Sequence, residues 1–179
     1  MAVPGTMGKI LLVDLDTGTI TEETPEDDLY LKYLGGYGLG AYYLYRWQKP
    51  GVDPLGPDNH LGFFSGLLTG TTAITGNRYV LVAKSPKTNT WGDANSGGTF
   101  GPAMKAAGFD AVVFRGISPS PVVLLLRDDQ AELLPAEEWW GAKRRGRFSC
   151  RRQRMGERST SRPTTAACIA WTARPGTCT

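Results

Sequence analysis

Short strand-like runs, each ended by turn-forming residues, are the feature that most limits what this chain can fold into. They cover residues 9–15, 19–23, 60–65, 78–84, 109–115, 122–127 and 130–134. Fewer segments show helical features, and those segments are short. Runs of this length, separated by Gly, Pro, Asp and Asn, are typical of antiparallel sheets. The sequence therefore predicts an α+β domain dominated by antiparallel β-sheet.

Local signals predict several element boundaries. The turn at residues 16–18, Asp-Thr-Gly, joins the first two runs and predicts a β-hairpin. Thr24, followed by a proline, predicts the N-cap of a helix, and Gly35 predicts the end of that helix. Further short helices are predicted over residues 41–49 and 102–107.

The chain changes character near Gly141. Residues 1–141 carry ten Lys and Arg against sixteen Asp and Glu, a net charge of −6. Residues 142–179 carry ten basic residues and one acid, a net charge of +9, without hydrophobic periodicity. Such a segment cannot bury enough apolar surface to offset the entropy lost on ordering. We therefore predict a folded domain over 1–141 and an Arg-rich tail over 142–179, which is disordered, produced by a reading-frame shift, or a genuine basic extension.

Several classes of protein and site are not indicated. No apolar run reaches the roughly 18 residues that span a bilayer. The start also lacks a secretory signal, so a cytoplasmic protein without membrane contact is expected. His60 lies at a strand start and is interpreted as structural. Cys150, Cys168 and Cys178 are too irregularly spaced for a zinc or iron–sulfur site. The residues alone therefore indicate no catalytic side chain.

Two glycine- and threonine-rich segments form the candidate binding site. The first glycine loop, residues 66–77, runs directly into Arg78, and the second glycine loop covers residues 93–101. Glycine lets backbone N–H groups approach an oxyanion, and arginine offers a planar fork of donors to phosphate. The helix predicted after the second loop would add its amino terminus. This pattern fits a phosphate-bearing ligand, but it equally fits plain turns and an exposed arginine at a strand start.

A third glycine cluster, residues 35–40, differs from a dinucleotide-binding motif. Its spacing is wrong for that motif, and it follows a helix instead of a strand. We interpret it as a connector between two helices and leave it out of the binding site.

A series of short motifs keeps the order and spacing of one enzyme family. The motifs are Gly66-Leu67-Leu68-Thr69-Gly70, Thr75-Gly76-Asn77-Arg78-Tyr79, Ala83-Lys84-Ser85-Pro86, Ala94-Asn95-Ser96-Gly97-Gly98, Phe100-Gly101 and Ala107-Gly108-Phe109-Asp110-Ala111. Residues 8–18, 33–39 and 52–55 extend the match towards the start of the chain. Over residues 7–141 the chain resembles the amino-terminal domain of the tungsten-containing aldehyde:ferredoxin oxidoreductase family.

The resemblance implies a fold of two β-sheets on which tungstopterin, a bis-pterin tungsten cofactor, rests. By the same resemblance, Arg78 would contact a pterin phosphate, and Asn95 and Gly97 would bind the cofactor. The Asn95 backbone would lie near a magnesium ion that bridges the two pterin phosphates. The other implied cofactor contacts in these loops are Gly76, Ser96 and Gly98.

The resemblance also implies a reaction and partners. The family oxidises aldehydes to carboxylic acids and passes two electrons through a 4Fe–4S cluster to ferredoxin. Its cluster cysteines, second pterin loop and substrate pocket come after the matched region. The expected partners are therefore ferredoxin, the aldehyde, the carboxy-terminal domains of the same enzyme and, in the full-length form, a second copy in a homodimer. The 179-residue chain is expected to be inactive by itself.

Other interpretations stay open. Residues 91–95, Trp-Gly-Asp-Ala-Asn, are also similar to the tungsten subunit of the ATP-independent benzoyl-coenzyme A reductases. In a protein of another class, the basic tail would track phosphates in a non-enzymatic nucleic-acid binder, and binding would fall steeply with salt. A structural or assembly fragment without a cofactor is the third alternative.

Overall fold

The computed structural model describes residues 3–137 and the backbone of residues 166–171. The strands are β1 (Ile10–Asp14), β2 (Thr19–Glu23), β3 (Leu61–Ser65), β4 (Tyr79–Lys84), β5 (Trp91–Ser96), β6 (Ala111–Arg115), β7 (Val122–Arg127), β8 (Gln130–Pro135) and β9 (Ala166–Trp171). The helices are α1 (Asp27–Tyr33), α2 (Tyr37–Trp47) and α3 (Phe100–Ala106). Strands outnumber helices in these ranges, so the predicted α+β class is confirmed.

The strands form two sheets. One sheet has six strands in the order β2-β1-β6-β3-β4-β5, and the other has three in the order β8-β7-β9. Every neighbouring pair is antiparallel except β1 and β6, which are parallel. β1 and β2 pair as a hairpin from Ile10↔Glu23 to Asp14↔Thr19, as the turn at residues 16–18 predicts. The prediction of a fold dominated by antiparallel sheet is confirmed.

The large sheet is covered on both faces. In β6, Ala111 and Val113 belong to one apolar cluster, while Val112 and Phe114 belong to the other. Alternate residues of a strand point to opposite faces, so β1, β3 and β6 supply residues to both clusters. The first cluster is completed by residues of α1 and α2, and the second by residues of α3 and β7.

Helix α1 begins later than predicted. Its N-cap is Glu26 and not Thr24, because Glu26 keeps an extended backbone with ψ 150°. The proline therefore precedes the helix and does not lie in its first turn. The helix ends at Tyr33 and its C-cap is Leu34, which has φ 64°, so the left-handed cap lies one residue before the predicted Gly35.

Helix α2 begins at Tyr37, and this corrects the interpretation of residues 35–40 as a connector. Gly38 and Gly40 lie inside the helix. A Cβ at Gly38 would lie 2.0 Å from the carbonyl oxygen of Tyr33, and one at Gly40 would lie 3.0 Å from Val82. These glycines let α2 approach the end of α1 and the sheet closely. Tertiary packing here overrides the low helix propensity of glycine.

The second glycine loop is partly a strand. Its first residues, up to Ser96, belong to β5, which pairs with β4 along its whole length. This strand carries no strand signal in the sequence, because glycine, aspartate and asparagine are disfavoured in strands. Helix α3 then begins at Phe100, two residues before its predicted start.

A strand lies within the segment predicted as a tail. β9 pairs antiparallel with β7, from Val122↔Trp171 to Arg127↔Ala166. Six residues of the segment predicted as an Arg-rich tail are therefore regular in structure. They form an uncharged run, and they cover the edge of β7 that β8 leaves open. The domain boundary at residue 141 stays a prediction, and Cys150 and Cys178 lie outside the described residues.

None of the helices in the described part of the chain has the length and apolar content needed to cross a membrane.

Candidate functional site

The two glycine loops meet where the β4–β5 hairpin opens. The pair Tyr79↔Ser96 ends the ladder, so Arg78 and Gly97 are the next residues on the two strands. A Cβ at Gly97 would lie 3.6 Å from Nη1 and 3.7 Å from Cδ of Arg78. The arginine side chain therefore lies along a residue that has no side chain. The structure thus brings together the predicted residues Arg78, Ser96 and Gly97.

Arg78 carries a free guanidinium within the described residues. Its side chain is exposed, and no carboxylate of residues 3–137 forms an ion pair with it. By contrast, Arg46 pairs with Glu23 at 3.1 Å and Arg115 pairs with Asp14 at 2.6 Å. An exposed guanidinium without a protein partner is available to an anionic ligand.

Thr69 closes the first glycine loop on itself. Its side chain is buried, with 1% of the residue exposed. The Thr69 hydroxyl accepts a hydrogen bond from the Gly66 amide at 3.1 Å. It also lies within hydrogen-bond distance of the carbonyls of Gly76 and Arg78. Because one hydroxyl joins both ends of the loop, Thr69 determines where the backbone of Arg78 enters β4.

The remaining predicted loop residues differ in environment. A Cβ at Gly76 would lie 2.7 Å from the Leu68 carbonyl oxygen, so this glycine is required by the path of the loop. Gly98 has φ 89°, and a Cβ there would meet nothing within 4 Å. Asn95 is exposed on β5. The second loop therefore presents its backbone to open space beside Arg78.

Helix α3 packs on the first glycine loop. A Cβ at Gly101 would lie 3.0 Å from Cγ2 of Thr69 and 3.5 Å from Cβ of Tyr79. The rings of Tyr79 and Phe100 pack with their centroids 4.8 Å apart. Gly101 thus lets the start of α3 approach the loop, and the two glycine loops form one continuous surface.

A buried charged network lies beneath this surface. The carboxylate of Asp110 accepts hydrogen bonds at 2.8 Å from the amides of Met7 and Gly8 and from the hydroxyl of Tyr30. The ammonium of Lys105 lies 3.8 Å from the same carboxylate, and the two side chains are only 5% and 4% exposed. The network joins the start of the chain to α1, α3 and β6.

Lys105 reaches from this network to the first glycine loop. Its ammonium donates to the carbonyl of Leu67 at 3.2 Å and to the carbonyl of Gly5. Burial lowers the pKa of Lys105, and the opposing effect of Asp110 does not cancel it. Burial, followed by the nearby carboxylate of Asp110, raises the pKa of Tyr30 well above its usual range.

Sequence reasoning assigned no role to Thr69, Lys105 or Asp110, although Thr69 and Asp110 lie in the matched motifs. The sequence did contain one signal for Asp110, which directly precedes the apolar run of β6. A carboxylate buried in such a position is usually paired with a positively charged group. No local pattern indicated that Lys105, on a short helix, would contact carbonyls far away in the chain.

His60 lies away from the two glycine loops, just before β3. It is buried, and its Nδ1 has no hydrogen-bond partner among the described residues. Burial lowers the pKa of His60, and the positive charge of Arg115 lowers it further. Within residues 3–137 no group of three or more His, Cys, Asp and Glu side chains is placed to hold a metal ion.

Two open clefts lie elsewhere on the domain. One, of about 520 Å³, is lined by residues of β2, α1 and α2, including Glu23, Tyr33 and Arg46. The other, of about 500 Å³, is lined by residues around β7 and β8, including Arg127. Neither cleft includes a residue of the glycine loops.

The chain is similar to large tungsten enzymes. A family model described as aldehyde ferredoxin oxidoreductase, N-terminal domain, matches residues 10–172. The tungsten-containing aldehyde ferredoxin oxidoreductase of Pyrococcus abyssi is 46% identical over 137 residues, which are 76% of this chain and 23% of that protein. An aliphatic sulfonate oxidoreductase, WOR-like subunit, of Pyrococcus furiosus is 37% identical over 139 residues, 75% of this chain and 22% of that protein. The chain thus spans less than a quarter of the length of these relatives.

A solved structure has the same fold. The active-site complex BamBC of benzoyl coenzyme A reductase, in complex with 1,5-dienoyl-CoA, superimposes with a TM-score of 0.73. The aligned part is 36% identical and covers 75% of this chain and 21% of that one.

Proposed function

The chain belongs to the aldehyde ferredoxin oxidoreductase family through its amino-terminal domain, and from this premise we propose that it forms half of a platform for a tungsten–pterin cofactor. The proposed enzyme oxidises aldehydes to carboxylic acids in the cytoplasm and passes electrons to ferredoxin. The observation that carries the proposal is Arg78, an exposed guanidinium that lies along Gly97 and has no carboxylate partner within residues 3–137.

The residues of the surface fit a phosphate-bearing cofactor. Gly97 leaves the space beside the guanidinium free of a side chain, and Gly98 opens the backbone to solvent. Phosphate oxygens are therefore able to approach both a fixed fork of donors and main-chain N–H groups. A guanidinium and free amides are the donors that phosphate prefers, and no carboxylate of the described residues pairs with Arg78 to compete with it.

In the proposed site each residue has a separate task. Arg78 donates to a pterin phosphate, while Asn95 and Gly97 contact the cofactor through the second glycine loop. The backbone of Asn95 would lie near the magnesium ion. When bound, the cofactor supplies the two-electron chemistry of aldehyde oxidation, and the chain binds and orients it. The other proposed contacts are Gly76, Ser96 and Gly98. The cysteines that bind the 4Fe–4S cluster are proposed to lie in the carboxy-terminal domains.

The proposal is tested by anion binding to the 179-residue chain. Inorganic pyrophosphate with magnesium serves as the probe, and its affinity is measured by calorimetry for the unmodified chain and for Arg78→Met. A charge-assisted hydrogen bond contributes about 1.5–3 kcal/mol, so the affinity should fall by roughly one to two orders of magnitude.

Arg46→Met is the matched control, because Arg46 is also exposed but is paired with Glu23. It should leave the pyrophosphate affinity within about twofold, since a surface ion pair contributes little. Equal affinity of the Arg78→Met variant and the unmodified chain would contradict the proposal. Tungsten and pterin in the native protein that carries this sequence, measured by elemental analysis and pterin fluorescence, provide an independent test.

A second candidate is supported by the structural similarity to benzoyl coenzyme A reductase. In that case the same platform would belong to a tungsten subunit that acts on an aromatic coenzyme A thioester. The native protein carrying this sequence distinguishes the two when it is assayed with a viologen dye. Dye reduction by aldehydes supports the first candidate, and dye reduction by dienoyl-CoA without aldehyde activity supports the second.

A further inference from the structure

The Lys105 side chain connects the buried charged network to the first glycine loop. Its ammonium donates to the carbonyl of Leu67, at the start of that loop, and to the carbonyl of Gly5. Its aliphatic part also lies beside the loop, because a Cβ at Gly70 would be 3.7 Å from Cβ of Lys105. One side chain therefore contacts the loop by hydrogen bonding and by packing.

The first glycine loop also contacts the domain by packing, since Gly101 of α3 lies against Thr69 and Leu67 packs against the apolar cluster that contains Tyr30. Thr69 joins the loop ends to each other, and Asn77 accepts a hydrogen bond from the Gly70 amide within the loop at 3.2 Å. These bonds preserve the shape of the loop but do not attach it to α3 or to the start of the chain. Lys105 supplies that attachment through Leu67 and Gly5.

We propose that Lys105 is a positioning residue, which holds the first glycine loop so that Arg78 faces the second glycine loop and a bound phosphate. This inference rests on the proposed function. Lys105 itself is buried. It acts through the Leu67 carbonyl and Gly70, and the loop then delivers the backbone of Arg78 to the start of β4.

The burial of Lys105 is consistent with this role. Burying an ammonium costs free energy unless polar partners replace water. The Lys105 side chain is 5% exposed, and its ammonium donates to two carbonyls and lies near one carboxylate. The lowered pKa of Lys105 reflects that cost. A leucine or methionine would fill the same volume of a core, but it would donate nothing to the loop.

The test compares Lys105→Met with Lys9→Met in the 179-residue chain. Lys9 is the control because its ammonium pairs with Asp129 at the surface, at 3.1 Å. Amide hydrogen exchange is followed by NMR at Gly66 and Thr69, with the amides of β6 as the internal reference. In Lys105→Met we expect loop exchange to rise about tenfold relative to β6, because the lost hydrogen bond loosens the loop locally.

Pyrophosphate affinity is the second measurement. It should fall about tenfold in Lys105→Met and stay unchanged in Lys9→Met, since a misplaced donor loses much of its contribution. Unchanged loop exchange together with unchanged affinity would overturn the role of Lys105 and leave the proposed function standing. A different outcome would overturn the proposed function and the phosphate role of the loop. In that outcome the unmodified chain binds no pyrophosphate, although Lys105→Met still makes loop exchange faster.

A purely structural role is separated by a second variant. Lys105→Met combined with Asp110→Asn removes both buried charges, so this chain should fold even if Lys105→Met alone does not. If Lys105 positions the loop, the double variant folds but still shows loop exchange that is fast relative to β6, together with weak pyrophosphate binding. Recovery of normal loop exchange and affinity in the double variant would refute the positioning role.

Discussion

The charge of Asp110 offers the sharpest test of how this domain is held together. The substitution Asp110→Asn keeps the size and one acceptor oxygen of the side chain but removes its charge. Lys105, which is 5% exposed and 3.8 Å away, then loses its counter-ion. Breaking a buried pair in this way costs about 3–5 kcal/mol, because one charge is left uncompensated.

Two further effects set the size of the change. The carboxylate accepts three hydrogen bonds at 2.8 Å, from Met7, Gly8 and Tyr30, and each becomes weaker when the acceptor is neutral. Against this, burial already lowers the pKa of Lys105, so the lysine is able to lose its proton and limit the cost. We therefore expect a loss of about 3 kcal/mol, a large part of the roughly 5–15 kcal/mol that stabilises a domain.

The assay is urea unfolding followed by circular dichroism. With a urea dependence of about 1–3 kcal/mol per molar, the midpoint should fall by about 1–3 M. Asp129→Asn is the control, since Asp129 is 65% exposed and pairs with Lys9 at the surface. That pair contributes at most about 1 kcal/mol.

A double-mutant cycle completes the test. Adding Lys105→Met to Asp110→Asn removes the stranded charge, so the two changes together should cost about 2 kcal/mol less than the sum of the single changes. The reasoning is refuted if Asp110→Asn destabilises the domain no more than Asp129→Asn does. It is equally refuted if the costs of the two substitutions simply add.

Three further predictions concern the frame of the domain. Gly38→Ala should abolish the packing of α2, because the new Cβ would lie 2.0 Å from the carbonyl oxygen of Tyr33 in α1. Gly51→Ala is the control: its Cβ would have no atom within 4 Å, so the substitution should cost only about 1–2 kcal/mol, for the positive φ. Leu124→Ala should destabilise the domain by about 2.7–5 kcal/mol in urea unfolding, and the half-buried Leu125 should cost less when changed in the same way. Burial raises the pKa of Asp14, but the guanidinium of Arg115 and the amides of Thr17 and Asp16 together lower it by more, so the net pKa is below the usual value. Asp14 therefore stabilises the domain above about pH 4 and loses this contribution as the pH falls through its lowered pKa. Asp14→Asn should accordingly flatten the acid side of the stability curve, and an unchanged acid side would contradict this assignment.

The candidate site was predictable where its chemistry is local. Arg78 and the two glycine loops stand out within a few residues of sequence, because glycine and arginine have distinct conformational and hydrogen-bonding properties. The partners of Thr69 are also near in sequence, since Gly66 is 3 and Arg78 is 9 positions away, yet threonine hydroxyls occur in many loops and nothing in the pattern singled this one out. Lys105 could not be found in this way, since its partners Gly5 and Leu67 are 100 and 38 residues away.

Local sequence features were enough to predict the α+β class, the β1–β2 hairpin and most of the strands, because alternation and turn chemistry act between near neighbours. The helical state of Gly38 and Gly40 depends instead on tertiary contacts, since a Cβ at either position would meet a neighbouring element. The same holds for β9, whose pairs with β7 run from Arg127↔Ala166 to Val122↔Trp171 and so join residues far apart in the chain. Contacts between distant residues determine these features, and no local pattern in the sequence contains both partners of such a contact.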